Sequence, residues 1–94
     1  MAPDPPAAAR LEQLRQEIAS TDQELVRLIA RRLELAREIG RTKQTLGLPI
    51  MDPAREAEVV RRAVEQARAH GADAELVRGI LWRIIDVARG VQDR

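Results

Sequence analysis

LEQLRQEIASTDQELVRLIARRLELAREIGRTKQTL, residues 11–46, decides the fold. Its apolar residues recur at alternating steps of three and four: Leu11, Leu14, Ile18, Leu25, Leu28, Leu35 and Ile39. Thr21 and Arg32 fill two places in the same series. That spacing lays one stripe along one face of an α-helix and holds it against a partner. Between about Arg10 and Leu46 only Gly40 weakens the helix, at about 1 kcal/mol. It marks either close packing or a gap left for a ligand. At about 1.5 Å per residue, roughly 36 residues span about 54 Å. The remaining chain is too short to cover such a rod. The economical arrangement packs two first helices antiparallel, from two copies, with the shorter helices folded around them.

Those shorter helices have clear ends. Gly47 is a natural residue to follow the first helix, and Pro49 blocks its continuation. Asp52 is an N-cap and Pro53 suits the first helical position of the second helix. That helix runs through Val59, Val60, Ala63, Val64 and Ala67 and closes at His70-Gly71. Asp73 caps a third, which carries Leu76, Val77, Ile80, Leu81, Ile84, Ile85 and Ala88. Nothing reads as a strand. The fold is expected to be all-α: a three-helix protomer with one long N-terminal helix, in an antiparallel homodimer. Residues 1–9, rich in Pro and Ala, are expected to form a disordered tail, and residues 10–94 one domain.

Composition removes several classes of function. The 94 residues allow one small core, for which oligomerisation is a common remedy. A net charge of +1 offers no basic field for nucleic acid. Trp82 is the one aromatic residue, so base-stacking platforms are missing. There is no cysteine and one histidine, His70. Thiolate nucleophiles, thiolate metal sites and histidine clusters are therefore excluded. His70 reads as a helix-terminus residue. No apolar run approaches the ~20 residues of a membrane span, and MAPDPPAAAR lacks the apolar region of a signal peptide. The expected location is cytoplasmic.

Arg32 carries the chemistry. An arginine inside an apolar stripe either costs stability, pairs with a buried acid, or meets an anionic ligand. Lys43 lies three turns on and points the same way. The two cations are about 16 Å apart along the axis, so long side chains leaning inward could bracket a small ring bearing more than one carboxylate. Arg15, about 25 Å from Arg32, cannot reach that ligand within one chain. In an antiparallel dimer crossing near Val26 it reaches the partner's site. Asp52, Arg55 and Glu56 open the second helix close behind Lys43, although Asp52 is first of all a cap. Gln92 extends the apolar face Leu81, Ile85, Ala88 and offers a neutral donor to an uncharged ligand oxygen.

The segment LRQEIASTDQELVRLIARRLELAREIGRTK, followed by LGLPIMDPARE and the late Gln92, resembles the all-helical chorismate mutases. The resemblance runs from about Leu11 to Gln92. It rests on the combination of LRxEI with Asp22, RR at 31–32, Lys43, the Pro49–Glu56 segment and Gln92. It implies an intertwined three-helix homodimer that converts chorismate to prephenate by a Claisen rearrangement in phenylalanine and tyrosine biosynthesis. No metal or cofactor takes part. Carried over to this chain, the resemblance gives Arg15 of one chain and Arg32 of the other to the two substrate carboxylates. Lys43 contacts a carboxylate and the ether oxygen, and Gln92 donates to that same oxygen. Glu56 binds the ring hydroxyl, while Arg55 and Asp52 line and order the pocket. Ala88 stands where some relatives have a serine near that hydroxyl, which leaves the ring preference open. The catalytic set is thus Lys43, Gln92, Arg32 and Glu56, within a binding set that adds Arg15, Asp52, Arg55 and Ala88. Two sister activities on the same fold stand as alternatives: isochorismate pyruvate-lyase and 4-amino-4-deoxychorismate mutase. A non-catalytic helical dimer is the alternative of another class, and leaves the joint presence of Arg15, Arg32, Lys43 and Gln92 unexplained. A larger pathway enzyme is a compatible further partner.

Overall fold

A computed structural model of the chain describes residues 4–93. Among them lie three helices and no strand: α1 Pro5–Leu46, α2 Pro53–Ala69 and α3 Ala74–Gln92. The all-α expectation holds. The helix ends follow the expected chemistry closely. The Arg55 amide donates to the Asp52 carboxylate at 3.2 Å, and the Leu76 amide to the Asp73 carboxylate at 2.9 Å. Pro53 occupies the first turn of α2, where its missing N–H costs nothing.

Both interhelical turns are Schellman motifs. Leu48 N–H returns to the Lys43 carbonyl at 2.9 Å and Gly47 N–H to the Gln44 carbonyl at 3.2 Å. The same pair of bonds joins Ala72 to Ala67 at 2.8 Å and Gly71 to Arg68 at 3.3 Å. Each motif places a left-handed residue just past the helix, and Gly47 and Gly71 fill that role with φ of 69° and 71°.

The chain divides into two compact units, residues 1–32 and 33–94. In the first, α1 starts at Pro5 rather than near Arg10, so residues 5–9 are helical where a tail was expected. Residues 1–3 of that expected tail lie outside the described residues. The physical reason is a cap missed in the sequence. The Asp4 carboxylate accepts from Ala7 N–H at 3.4 Å, the Asp4 carbonyl accepts from Ala8 N–H at 2.9 Å, and Pro5 and Pro6 suit a first turn. The stripe residues Leu11, Leu14, Ile18, Leu25 and Leu28 are each 40–62% exposed. Thr21, within the same stripe, donates its hydroxyl to the Glu17 carbonyl of its own helix at 2.8 Å.

The second unit holds the buried side chains. Val60 and Val64 of α2 pack on Ile85 of α3, flanked by Val59, Ala74 and Leu81. A second cluster joins Ala36 of α1 to Ala88 and Val91 of α3, with Leu33 beside it. Small residues at 36, 40 and 88 let the C-terminal end of α3 lie close against α1. No helix of the described residues is long and apolar enough to cross a membrane.

Candidate functional site

The close approach of α1 and α3 is set by Gly40. A Cβ placed there would lie 2.6 Å from the Gln92 carbonyl oxygen and 2.8 Å from the Gln92 Cα. Of the two sequence readings of Gly40, close packing is the one the structure realises. The backbone of Gln92 therefore rests directly on α1, one turn before Lys43.

Lys43 exploits that proximity. Its ammonium donates to the Gln92 Oε1 at 3.1 Å and to the Ile50 carbonyl at 2.8 Å. An ammonium has three donors and no acceptor. Two of its hydrogens are thereby engaged and one is left. Because lysine can only donate, the Gln92 amide must turn its oxygen toward Lys43, and its NH2 becomes the end free to meet a ligand. The pair thus presents two adjacent donors, one charged and one neutral.

Glu56 stands on the first turn of α2, and its carboxylate meets a residue the sequence reading did not single out. Arg89 Nε donates to Glu56 Oε2 at 2.9 Å, and the Arg89 terminal nitrogen donates to Oε1 in the second arm of a bidentate pair. The side chain of Glu56 is only 14% exposed and that of Arg89 32%. The hydrogen bonds from Arg89 hold the Glu56 carboxyl below its ordinary pKa. Desolvation opposes this, and the charges of Arg89 and Lys43 reinforce it. Asp86, more exposed, approaches Arg89 at 3.8 Å.

The second unit thus brings together three of the expected residues, Lys43, Glu56 and Gln92, and adds Arg89. The others sit differently. Asp52 spends its carboxylate on the cap of α2, and Arg55 makes an exposed pair with Glu58 at 3.5 Å. Ala88 is 5% exposed, with its methyl group in the core beside Ala36 and Val91. Arg15 is exposed and Arg32 half-buried, both on α1 within the first unit. Arg89 carried no sequence signal of its own. It lies 33 residues from Glu56 on another helix, and one turn after the exposed Asp86 it reads as half of a local ion pair. A groove of about 300 Å³ between α2 and α3, lined by Val64, Arg61, Arg68, Arg78 and Trp82, holds none of the expected site residues.

Residues 14–93 match the family described as chorismate mutase type II. The chain belongs to that family. It is similar to the T-protein of Enterobacter agglomerans, with 40% identity over 77 residues, 82% of this chain and 21% of that protein. The chain therefore spans about a fifth of that relative's length. It is also similar to the chorismate mutase of Methanocaldococcus jannaschii, 30% identical over 88% of this chain and 84% of that one. The 4-amino-4-deoxychorismate mutase of Streptomyces venezuelae is 34% identical over 88% of this chain and 81% of its own. Among solved structures, a conserved hypothetical protein from Pyrococcus furiosus superposes with a TM-score of 0.71. It shares 40% identity and is covered over 95% of its length by 88% of this chain.

Proposed function

We propose that this member of the type II family is a chorismate mutase, converting chorismate to prephenate in phenylalanine and tyrosine biosynthesis. The observation that carries the reading is the Lys43–Gln92 pair, with one ammonium hydrogen left on Lys43 and the NH2 group of Gln92 turned away from it. In the Claisen rearrangement the ether C–O bond breaks as a C–C bond forms in the same molecule. No proton or electron is exchanged with the protein. Negative charge grows on the ether oxygen, and two donors fixed before reaction stabilise it more than they stabilise the substrate. Metal ions and cofactors have no step to perform.

The working form in this proposal is an intertwined antiparallel homodimer of the domain over residues 10–94, located in the cytoplasm. The exposed stripe of α1 supports a partner helix. Arg15 of one chain and Arg32 of the other hold the substrate carboxylates, because guanidinium forks match carboxylates in two-bond geometry. Glu56 accepts from the ring hydroxyl, and Asp52 and Arg55 order the rim.

The test is turnover of chorismate by the purified protein in the presence of a chelator, with the product identified. Prephenate is the expected product. Faster pyruvate release from isochorismate would instead assign a lyase, and inertness to both would favour a non-catalytic helical module. One second reading has a specific observation behind it. The 4-amino-4-deoxychorismate mutase relative covers most of the chain, and Ala88 offers no hydroxyl to the ring substituent.

A further inference from the structure

The ring substituent distinguishes those two readings, and the Glu56–Arg89 pair bears on it directly. A carboxylate carries about four lone-pair positions on its two oxygens. Arg89 takes one on each oxygen. Glu56 therefore keeps acceptor capacity toward a ligand, but no net charge to offer it. The cations around it outnumber it. Arg89 neutralises it at contact, and the charge of Lys43 on α1 adds to this more weakly. Asp86, the other acid near Arg89, is 3.8 Å away with 62% of its side chain exposed, so solvent screens it. Ala88, buried in the core, contributes neither charge nor hydrogen bond.

A ring hydroxyl can donate to this carboxylate without bringing charge. A ring ammonium would bring a further positive charge beside Arg89 and Lys43, while Asp52, the acid at the rim, holds its carboxylate on the backbone cap of α2. Like charges in a partly dry site disfavour each other strongly. We propose that Arg89 is a specificity-determining residue that, by neutralising Glu56, selects a hydroxyl over an ammonium at the ring position Glu56 recognises. This rests on the mutase reading and on the ring role of Glu56. Arg89 acts through Glu56 and is a positioning residue rather than a catalytic one.

The experiment compares kcat/KM for chorismate and for 4-amino-4-deoxychorismate, whose amine is protonated at neutral pH, in the full chain and three variants. The wild type favours chorismate. Arg89→Met keeps the length of the stem but frees the Glu56 charge. It shifts the ratio of the two constants toward the amino substrate by about tenfold or more. Arg89→Gln, a second neutral variant, shifts it the same way, and Arg89→Lys, which restores the charge, returns it toward wild type. Circular dichroism identifies which variants are folded. A merely structural Arg89 would lower both constants together and leave the ratio unchanged, which overturns the proposal. A wild type that prefers the amino substrate also overturns it. A wild type inert to both substrates removes the mutase reading itself, an outcome visible before any variant is compared.

Discussion

Replacing Gly40 by alanine should separate activity from stability, and the expected sizes follow from three distances. The added methyl would stand 2.6, 2.8 and 3.1 Å from the carbonyl oxygen, Cα and carbonyl carbon of Gln92. All three atoms are backbone, so no side chain can rotate away. Ordinary contact between such atoms begins near ~3.5 Å, so the last turn of α3 must retreat from α1 by about 1 Å. Overpacking of this kind costs ~1–3 kcal/mol. The gain from alanine over glycine inside a helix returns ~1 kcal/mol. Net stability should fall by no more than about 2 kcal/mol, and the variant should fold.

Activity should suffer far more. The retreat carries the Gln92 side chain with it and stretches its 3.1 Å bond to Lys43. A donor displaced by about 1 Å from a developing charge costs on the order of 100-fold in rate. Gly79 is the internal control: it also lies inside a helix, α3, but a Cβ there meets nothing within 4 Å. Gly79→Ala should be neutral or stabilising by up to about 1 kcal/mol and leave kcat unchanged. The assay is kcat on chorismate beside a denaturant melt for each variant. If Gly40→Ala keeps wild-type kcat while remaining folded, the close approach does not place the Gln92 donor and the reasoning fails.

Three further outcomes test the site. Arg15→Ala and Arg32→Ala should each be nearly inactive as homodimers, through loss of contacts worth ~1.5–3 kcal/mol each. Refolding the two together should restore activity through one site with both arginines intact; heterodimers that form yet stay inactive would refute the shared site. Gln92→Glu should be poor at neutral pH, because the NH2 facing the ligand is replaced by an acceptor, and should regain rate in acid as the new carboxyl protonates. A pH profile parallel to wild type would exclude contact with the ether oxygen. Glu56→Gln tests the linkage of its pair with Arg89. The folded-state pKa of Glu56 is lowered, so its contribution to stability is present above the unfolded value of ~4.3 and is lost as pH falls through the folded value. Urea melts should show wild type ahead by about 1 kcal/mol at neutral pH, with the gap closing below the ordinary carboxylate range.

What the sequence revealed and what it hid divide along the range of the interactions. Asp52, Pro53, Asp73, Gly47 and Gly71 act on backbone within a few residues, and each does what its type and position require. Lys43 and Gln92 were legible as ends of two apolar stripes, since a stripe fixes which way a side chain points. Three features were not. Asp4 caps α1 ahead of two prolines, and a Pro- and Ala-rich beginning disguised it as a tail. Gly40 announced a special position but not its neighbour, because the contact is with backbone 52 residues away. Arg89 belongs to a pair spanning two helices, and its partner is decided by packing that no local pattern encodes.

Lys43 shows why this distinction matters for reading experiments on the site. Its carbonyl accepts from Leu48 N–H, and its ammonium donates to the Ile50 carbonyl. One residue therefore ties down both ends of the turn leading from α1 to α2, while also fixing the amide of Gln92. Removing its side chain would loosen the turn, release the Gln92 amide to rotate, and withdraw a charge from Glu56. The resulting loss of rate would mix all three effects with loss of a donor to the ether oxygen. Substitution at Lys43 is thus the severest perturbation available and the least informative. Gly40, Gln92 and Arg89 each change one coordinate of the same cluster: the position of a donor, its chemistry, and the charge of its neighbouring acceptor. A set of variants built on those three can assign the roles that a lysine variant would leave combined.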